Sequence, residues 1–137
     1  MTNSTLTLKD SKIILSAIEK YAESLSINLV ISIYDNHGNL NCFHRMDNTS
    51  FGSIRISQLK ALTSASMPIS SKDLSERSAS MTTNPYSSIP DILLLGGGLP
   101  IMKNGIHIGS IGVSGATPEL DEECAQKGID ALLKSSV

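Results

Sequence analysis

Between Leu93 and Gly115 the chain reads LLLGGGLPIMKNGIHIGSIGVSG and holds most of its ten glycines. At the centre of this stretch Asn104-Gly105 separates two apolar runs. That pattern marks a tight antiparallel hairpin, because a two-residue turn with positive φ matches the twist of paired strands. The strands are expected at Leu99–Lys103 and Ile106–Val113. Ile106 and Ile108 share one face of the second strand, whereas Ile111 and Val113 share the other. A regular strand with one wet face does not change parity midway. Either a bulge lies near Gly109 or Gly112, or other elements cover both faces. The glycines leave room where a helix, a second chain or a ligand approaches the backbone.

One domain over residues 1–137 is expected, long enough to bury a sheet and several helices. Apolar residues make up 40% and charged residues 18%, which excludes a disordered composition. The net charge is −2 with no run of basic residues, so no nucleic-acid partner is expected. No apolar run has the length of a membrane span, and the leading MTNSTLTLKD lacks the basic and apolar pattern of a secretory signal. Cys42 and Cys124 form no CxxC motif. Two free thiols point to a reducing, cytoplasmic location.

Along the chain, Thr7 and Asp10 form a capping-box pattern ahead of a 3.6-residue apolar period running from Ile13 to Leu25. Leu29–Tyr34 is apolar on both faces and reads as a central strand. The turn residues Asp35–Gly38 lead to a second strand at Leu40–Met46. Leu40, Cys42, His44 and Met46 share one of its faces, and Asn41, Phe43 and Arg45 the other. Ser53–Ala65 has helical spacing with a thin, serine-rich stripe. Ser70 and Asp73 cap a short helix over Lys72–Ser78, and Ala79–Pro90 reads as loop. Thr117, Pro118 and the following acids open a last helix with Leu120, Cys124, Ala125, Gly128, Ile129 and Leu132 inward. Strands flanking a helical middle, with helices at both ends, imply an antiparallel sheet between helical layers.

Few residues carry an obvious chemistry. Gly109-x-x-Gly112-x-x-Gly115 is not a dinucleotide fingerprint, since the next helix opens with acids that repel a pyrophosphate. Ser114 does not stand in a G-x-S-x-G elbow. His37, His44 and His107 show no zinc spacing, so no metal site is expected. His37 reads as a solvated turn residue and His107 as an exposed one. His44 shares a strand face with Cys42 and Met46, which suits either a packed, hydrogen-bonded histidine or an axial haem ligand. Arg45, Asp47 and Lys60 border an apolar strand and helix. They suit either surface ion pairing or the binding of a carboxylate or propionate.

Arg45-Met46-Asp47, Lys60-Ala61, Gly97-Gly98-Leu99-Pro100-Ile101 and Gly109-Ser110-Ile111-Gly112-Val113-Ser114-Gly115 occur in this order, followed by Asp121 and Cys124. The ordered set resembles the GlcG/HbpS-like proteins, also found as the C-terminal domain of PduO-type proteins, over essentially the whole chain. The resemblance implies an α/β (α+β) fold: a profilin-like α/β/α domain with a five-stranded antiparallel sheet flanked by helices. It also implies self-association into a homo-oligomer. Ser57 departs from the family pattern, where a small alanine is usual. The expected function is that of a small-molecule or haem-binding accessory protein, with His44, Arg45 and Lys60 as cofactor-binding candidates. Two alternatives are an enzyme acting on a small carboxylate or diol-pathway metabolite and a purely structural oligomer.

Overall fold

A computed structural model describes residues 5–135 of the chain. The first four residues of the stretch read above for a signal lie outside the described residues. Helix α1 spans Leu8–Ser24 and is fixed at its start by the expected reciprocal box. Asp10 N–H donates to Thr7 Oγ1 at 3.1 Å, and Thr7 N–H donates to Asp10 Oδ2 at 3.0 Å. Strands β1 (Val30–Asp35) and β2 (Leu40–Arg45) follow. Next come helices α2 (Gly52–Ser66) and α3 (Ser71–Ala79). Strands β3 (Gly98–Lys103) and β4 (Ile106–Ser114) form the glycine-rich hairpin, and α4 (Pro118–Ser135) closes the described chain.

All strand pairings are antiparallel, in the order β2-β1-β4-β3. The described residues thus form four strands rather than five. Between α3 and β3 the chain instead makes a 3-10 turn at Pro85–Ser88. Pro85 and Pro90 remove ladder donors there, and Asn84 and Asp91 have positive φ, so extended pairing is interrupted.

The parity change in β4 has both of the expected causes. Ile101 pairs with Gly109 but Met102 pairs with His107, so Ile108 is an extra residue in the ladder. The bulge turns Ile108 to the same side as Ile111, and both enter the main core. Ile106, paired with Lys103, stays on that side with Ile108 as expected, but it lies at the turn end of the hairpin and is 43% exposed. On this side Ile31, Ile33, Ile111 and Val113 meet Ile14 and Ile18 of α1 and Ala125 and Leu132 of α4. Fully burying each large aliphatic side chain contributes roughly 1.5–3 kcal/mol.

The other face of the sheet is small and polar, which explains the serine-rich stripe of α2. Ser32 Oγ lies 2.8 Å from Ser57 Oγ, and Ser110 Oγ donates to the Ala61 carbonyl at 2.7 Å. Ser57, the departure from alanine, is fully buried and also donates to the Ile54 carbonyl. Gly98 and Gly112 are cross-strand partners directly beneath the helix. A Cβ on Gly112 would lie 2.0 Å from the Ser57 carbonyl oxygen and 2.6 Å from Ala61 N. Glycine is therefore demanded here by backbone-to-backbone approach, not by the turn.

Lys60 crosses this layer and is 1% exposed. Its ammonium donates to the Val113 carbonyl at 2.8 Å and to Asp121 Oδ2 at 2.9 Å. Asp121 Oδ1 in turn accepts the Ala116 N–H at 2.9 Å. Lys60 is thus not the surface ion-pairing residue that its sequence neighbours suggested; it ties α2 to β4 and to the first turn of α4. Burial pushes the Asp121 carboxyl above the usual range, while Lys60 and the Ala116 N–H pull against that rise. Gly97 has φ +127°, and a Cβ there would lie 2.6 Å from Lys60 Nζ.

Two stability predictions follow from this packing. Gly112→Ala is expected to lose roughly 1–3 kcal/mol in urea unfolding, and Gly112→Val more, because the opposing atoms are helix backbone. Gly52→Ala, where an added Cβ meets nothing within 4 Å, should stay at or slightly above the parent. Lys60→Met and Asp121→Leu should each cost about 3–5 kcal/mol by leaving a buried charge unpaired. The double variant should lose far less than the sum of the two. Strict additivity in that double-mutant cycle would show that the pair is not coupled.

Candidate functional site

The main core is capped by α1 on its outer side, and α1 reaches sideways over the edge strand β2. Between them runs an open groove of about 500 Å³. Alternation along β2 decides which side chains enter it. Cys42 pairs with Ile33 and His44 with Ile31, both core-facing residues, so Cys42 and His44 project toward α1. Their expected shared face is observed, and Met46 packs on the adjoining core. Leu40 leaves that face. The ladder passes from Cys42 to Leu40 between Ile33 and Tyr34, which makes Asn41 a bulge residue. Asn41 Oδ1 accepts Ser11 Oγ of α1 at 2.5 Å, so the bulge anchors one end of the groove.

The α1 wall presents Leu15 flanked by Lys12, Ser16, Glu19, Lys20 and Glu23. These positions recur at three- and four-residue spacing beside the buried stripe, hence on one side of the helix. His44 Nδ1 lies 2.5 Å from Glu19 Oε1. An ionised carboxylate only accepts, so the ring proton in this contact belongs to Nδ1, and whenever the ring is neutral its lone pair belongs to Nε2. The groove thus combines an apolar floor from Leu15 and Cys42, an oriented imidazole, two lysine ammoniums and the Glu19 and Glu23 carboxylates. It suits a flat, largely apolar ligand with anionic substituents.

The structure does not bring His44, Arg45 and Lys60 into one site. Arg45 pairs with Val30 on the opposite face of β2 and is exposed. The Lys60 ammonium is held beneath α2 by Asp121 and Val113. Asp47 is exposed after the strand. His37 sits in an exposed turn whose backbone N–H donates to Asp35. His107 is half-buried rather than exposed, and its Nε2 has no hydrogen-bond partner among the described residues. Among the described residues no cluster of three or more His, Cys, Asp or Glu is placed to hold a metal ion.

Glu19, Lys12 and Lys20 were missed by sequence reasoning. Their only signal was position along the polar flank of the first helix, and strand pairing was needed to show that β2 lies opposite. Elsewhere, a cleft of about 300 Å³ lies between α3, residues 94–96 and the start of α4. The nearby Glu122 carboxyl is raised by burial, and its Oε1 has no hydrogen-bond partner among the described residues. Cys124 is fully buried, and burial pushes its thiol up to about 11, which leaves it inert. No helix among the described residues is long and apolar enough to cross a membrane.

This fold and sequence have close relatives. An uncharacterized 15.0 kDa protein of Citrobacter freundii, from the dhaT-dhaS intergenic region, is 32% identical over 131 residues, covering 93% of this chain and 92% of its own. The crystal structure of the Klebsiella pneumoniae protein ORFY superposes with a TM-score of 0.89 at 29% identity, over 100% of this chain and 95% of that one. A crystal structure of the PduOC–heme complex superposes with a TM-score of 0.85 at 28% identity, over 93% and 94% of the two chains. Residues 6–130 match the family described as haem degrading protein HbpS-like, and the chain accordingly belongs to the HbpS-like family.

Proposed function

We propose that this protein is a haem-type, small-molecule-binding accessory protein whose ligand lies in the groove between α1 and β2. The observation that carries the reading is the His44 imidazole, held at Nδ1 by Glu19 in the wall of a groove with an apolar floor and a charged rim. Membership of the HbpS-like family and the likeness to PduOC in its heme complex support the choice of ligand. The residues fit the group. His44 offers a ring nitrogen, Leu15 and Cys42 offer apolar contact, and Lys12 and Lys20 offer charge to carboxylates. Haem, when bound, would supply a redox-active iron centre. The chain's own part is to orient the imidazole, shield one face from water and hold the acid groups. Arg45, on the far side of β2, would meet such a ligand only from a neighbouring copy.

A homo-oligomer belongs to the same proposal. β2 and β3 are the two edges of the sheet, and Phe51, at the start of α2, is 87% exposed. Bare edges and a solvated phenyl ring both favour a second copy. The free thiols Cys42 and Cys124 support a cytoplasmic location.

Haem titration followed by absorbance tests the binding reading. The parent is expected to give a defined Soret band. His44→Ala should shift that band and weaken binding at least about tenfold, equivalent to about 1.4 kcal/mol. Replacing Lys12 and Lys20 together by Glu should weaken binding while leaving the band position unchanged. Equal affinity and spectrum for the parent and His44→Ala would overturn the assignment of His44. For assembly, light scattering should report a multiple of 14.6 kDa at micromolar concentrations, and a monomer throughout would end that part.

A further inference from the structure

We infer that Glu19 is a positioning residue for His44: it fixes the Nδ1–H tautomer, so that Nε2 is the ring nitrogen offered to an iron or another electron-poor centre in the groove. The inference deepens the proposed binding reading, and its haem-dependent half rests on it. It starts from three observations. First, the two residues are 25 positions apart in sequence and meet only because β2 pairs antiparallel beneath α1. Second, the contact is to Nδ1, the nitrogen nearer the backbone. Third, Glu19 has no lysine ion pair among the described residues, although Lys12 and Lys20 line the same groove.

The pair is too exposed for stabilisation to account for it. The side chains are 51% and 34% accessible, and ion pairs of that kind contribute little to folding. What the contact does control is the ring. A carboxylate facing Nδ1 selects one tautomer and one ring orientation. It also increases the basicity of the opposite nitrogen, which is how carboxylate–histidine pairs tune bound metals. A more basic donor favours the ferric over the ferrous form, since the higher charge gains more from electron donation. Glu19 is therefore assigned control over which nitrogen binds and over how strongly the ligand resists reduction.

The test begins with the haem-free protein. Nitrogen-15 NMR of the His44 ring, under conditions where the ring is neutral, should show a protonated Nδ1 and a bare Nε2 in the parent. Glu19→Ala should give a mixture of tautomers with the fold unchanged by circular dichroism. Glu19→Gln, which keeps an acceptor oxygen, should largely restore the parent pattern. An Nε2–H tautomer in the parent, or no change in Glu19→Ala, overturns the inference. With haem added, Glu19→Ala should shift the ferric-to-ferrous balance about tenfold toward ferrous, roughly 59 mV for a one-electron couple. An unchanged potential overturns the electronic half. A parent with the stated tautomer that binds no haem upholds Glu19 as a positioning residue and overturns the haem reading instead.

Discussion

The buried Lys60–Asp121 pair is the constraint on which the arrangement of layers depends. A lysine and an aspartate removed from water cost more than their mutual attraction returns unless further hydrogen bonds serve the remaining donors and acceptors. Here the Val113 carbonyl accepts a second Lys60 proton and the Ala116 N–H serves the second Asp121 oxygen. The cluster joins α2, the end of β4 and the first turn of α4, residues that are 61 positions apart at its two charged ends. Shifting α2 by one residue would leave both charges unpaired. The pair therefore specifies register more than it adds stability. The upward displacement of the Asp121 carboxyl by burial shows that desolvation outweighs its partners.

The same register requires α2 to lie nearly on the sheet backbone. Gly98 and Gly112 permit it, and Ser32, Ser57 and Ser110 supply hydrogen bonds across a layer too thin for large side chains. Apolar packing is displaced to the other face, where α1 and α4 cover β1, β4 and β3. The order β2-β1-β4-β3 leaves β2 at the margin of that cover. A groove forms there because α1 overhangs an edge strand with no further strand to fill the space. Its side chains are consequently polar at the rim and apolar at the floor, the distribution a ligand-binding surface needs.

Much of this was legible beforehand. Thr7 and Asp10 named the start of α1, Asn104-Gly105 named the hairpin, and Thr117-Pro118 named the start of α4, because capping and turn chemistry act within a few residues. The change of parity in β4 correctly signalled a bulge and a sheet covered on both sides. The Asn41 bulge was not visible, since a polar residue on an edge strand fits a regular outward position equally well. The face shared by Cys42 and His44 was legible from alternation alone, yet nothing local placed Glu19 opposite it.

By itself, then, the sequence determined the elements, their caps and the periodic faces they present, all set by short-range sterics and hydrogen bonding. Residues 6–130 also carry enough of the family pattern to assign the chain to the HbpS-like family. Only the tertiary structure decided which groups surround Lys60 and His44. Lys60 looked like a border residue available to an acid group, and the fold spends its charge on Asp121. His44 stood out among the three histidines by its strand face alone, and the fold sets Glu19 and a groove beside it. Both outcomes depend on partners distant in sequence, and an ionisable group takes its role from the charge and solvent around it, which no local pattern contains.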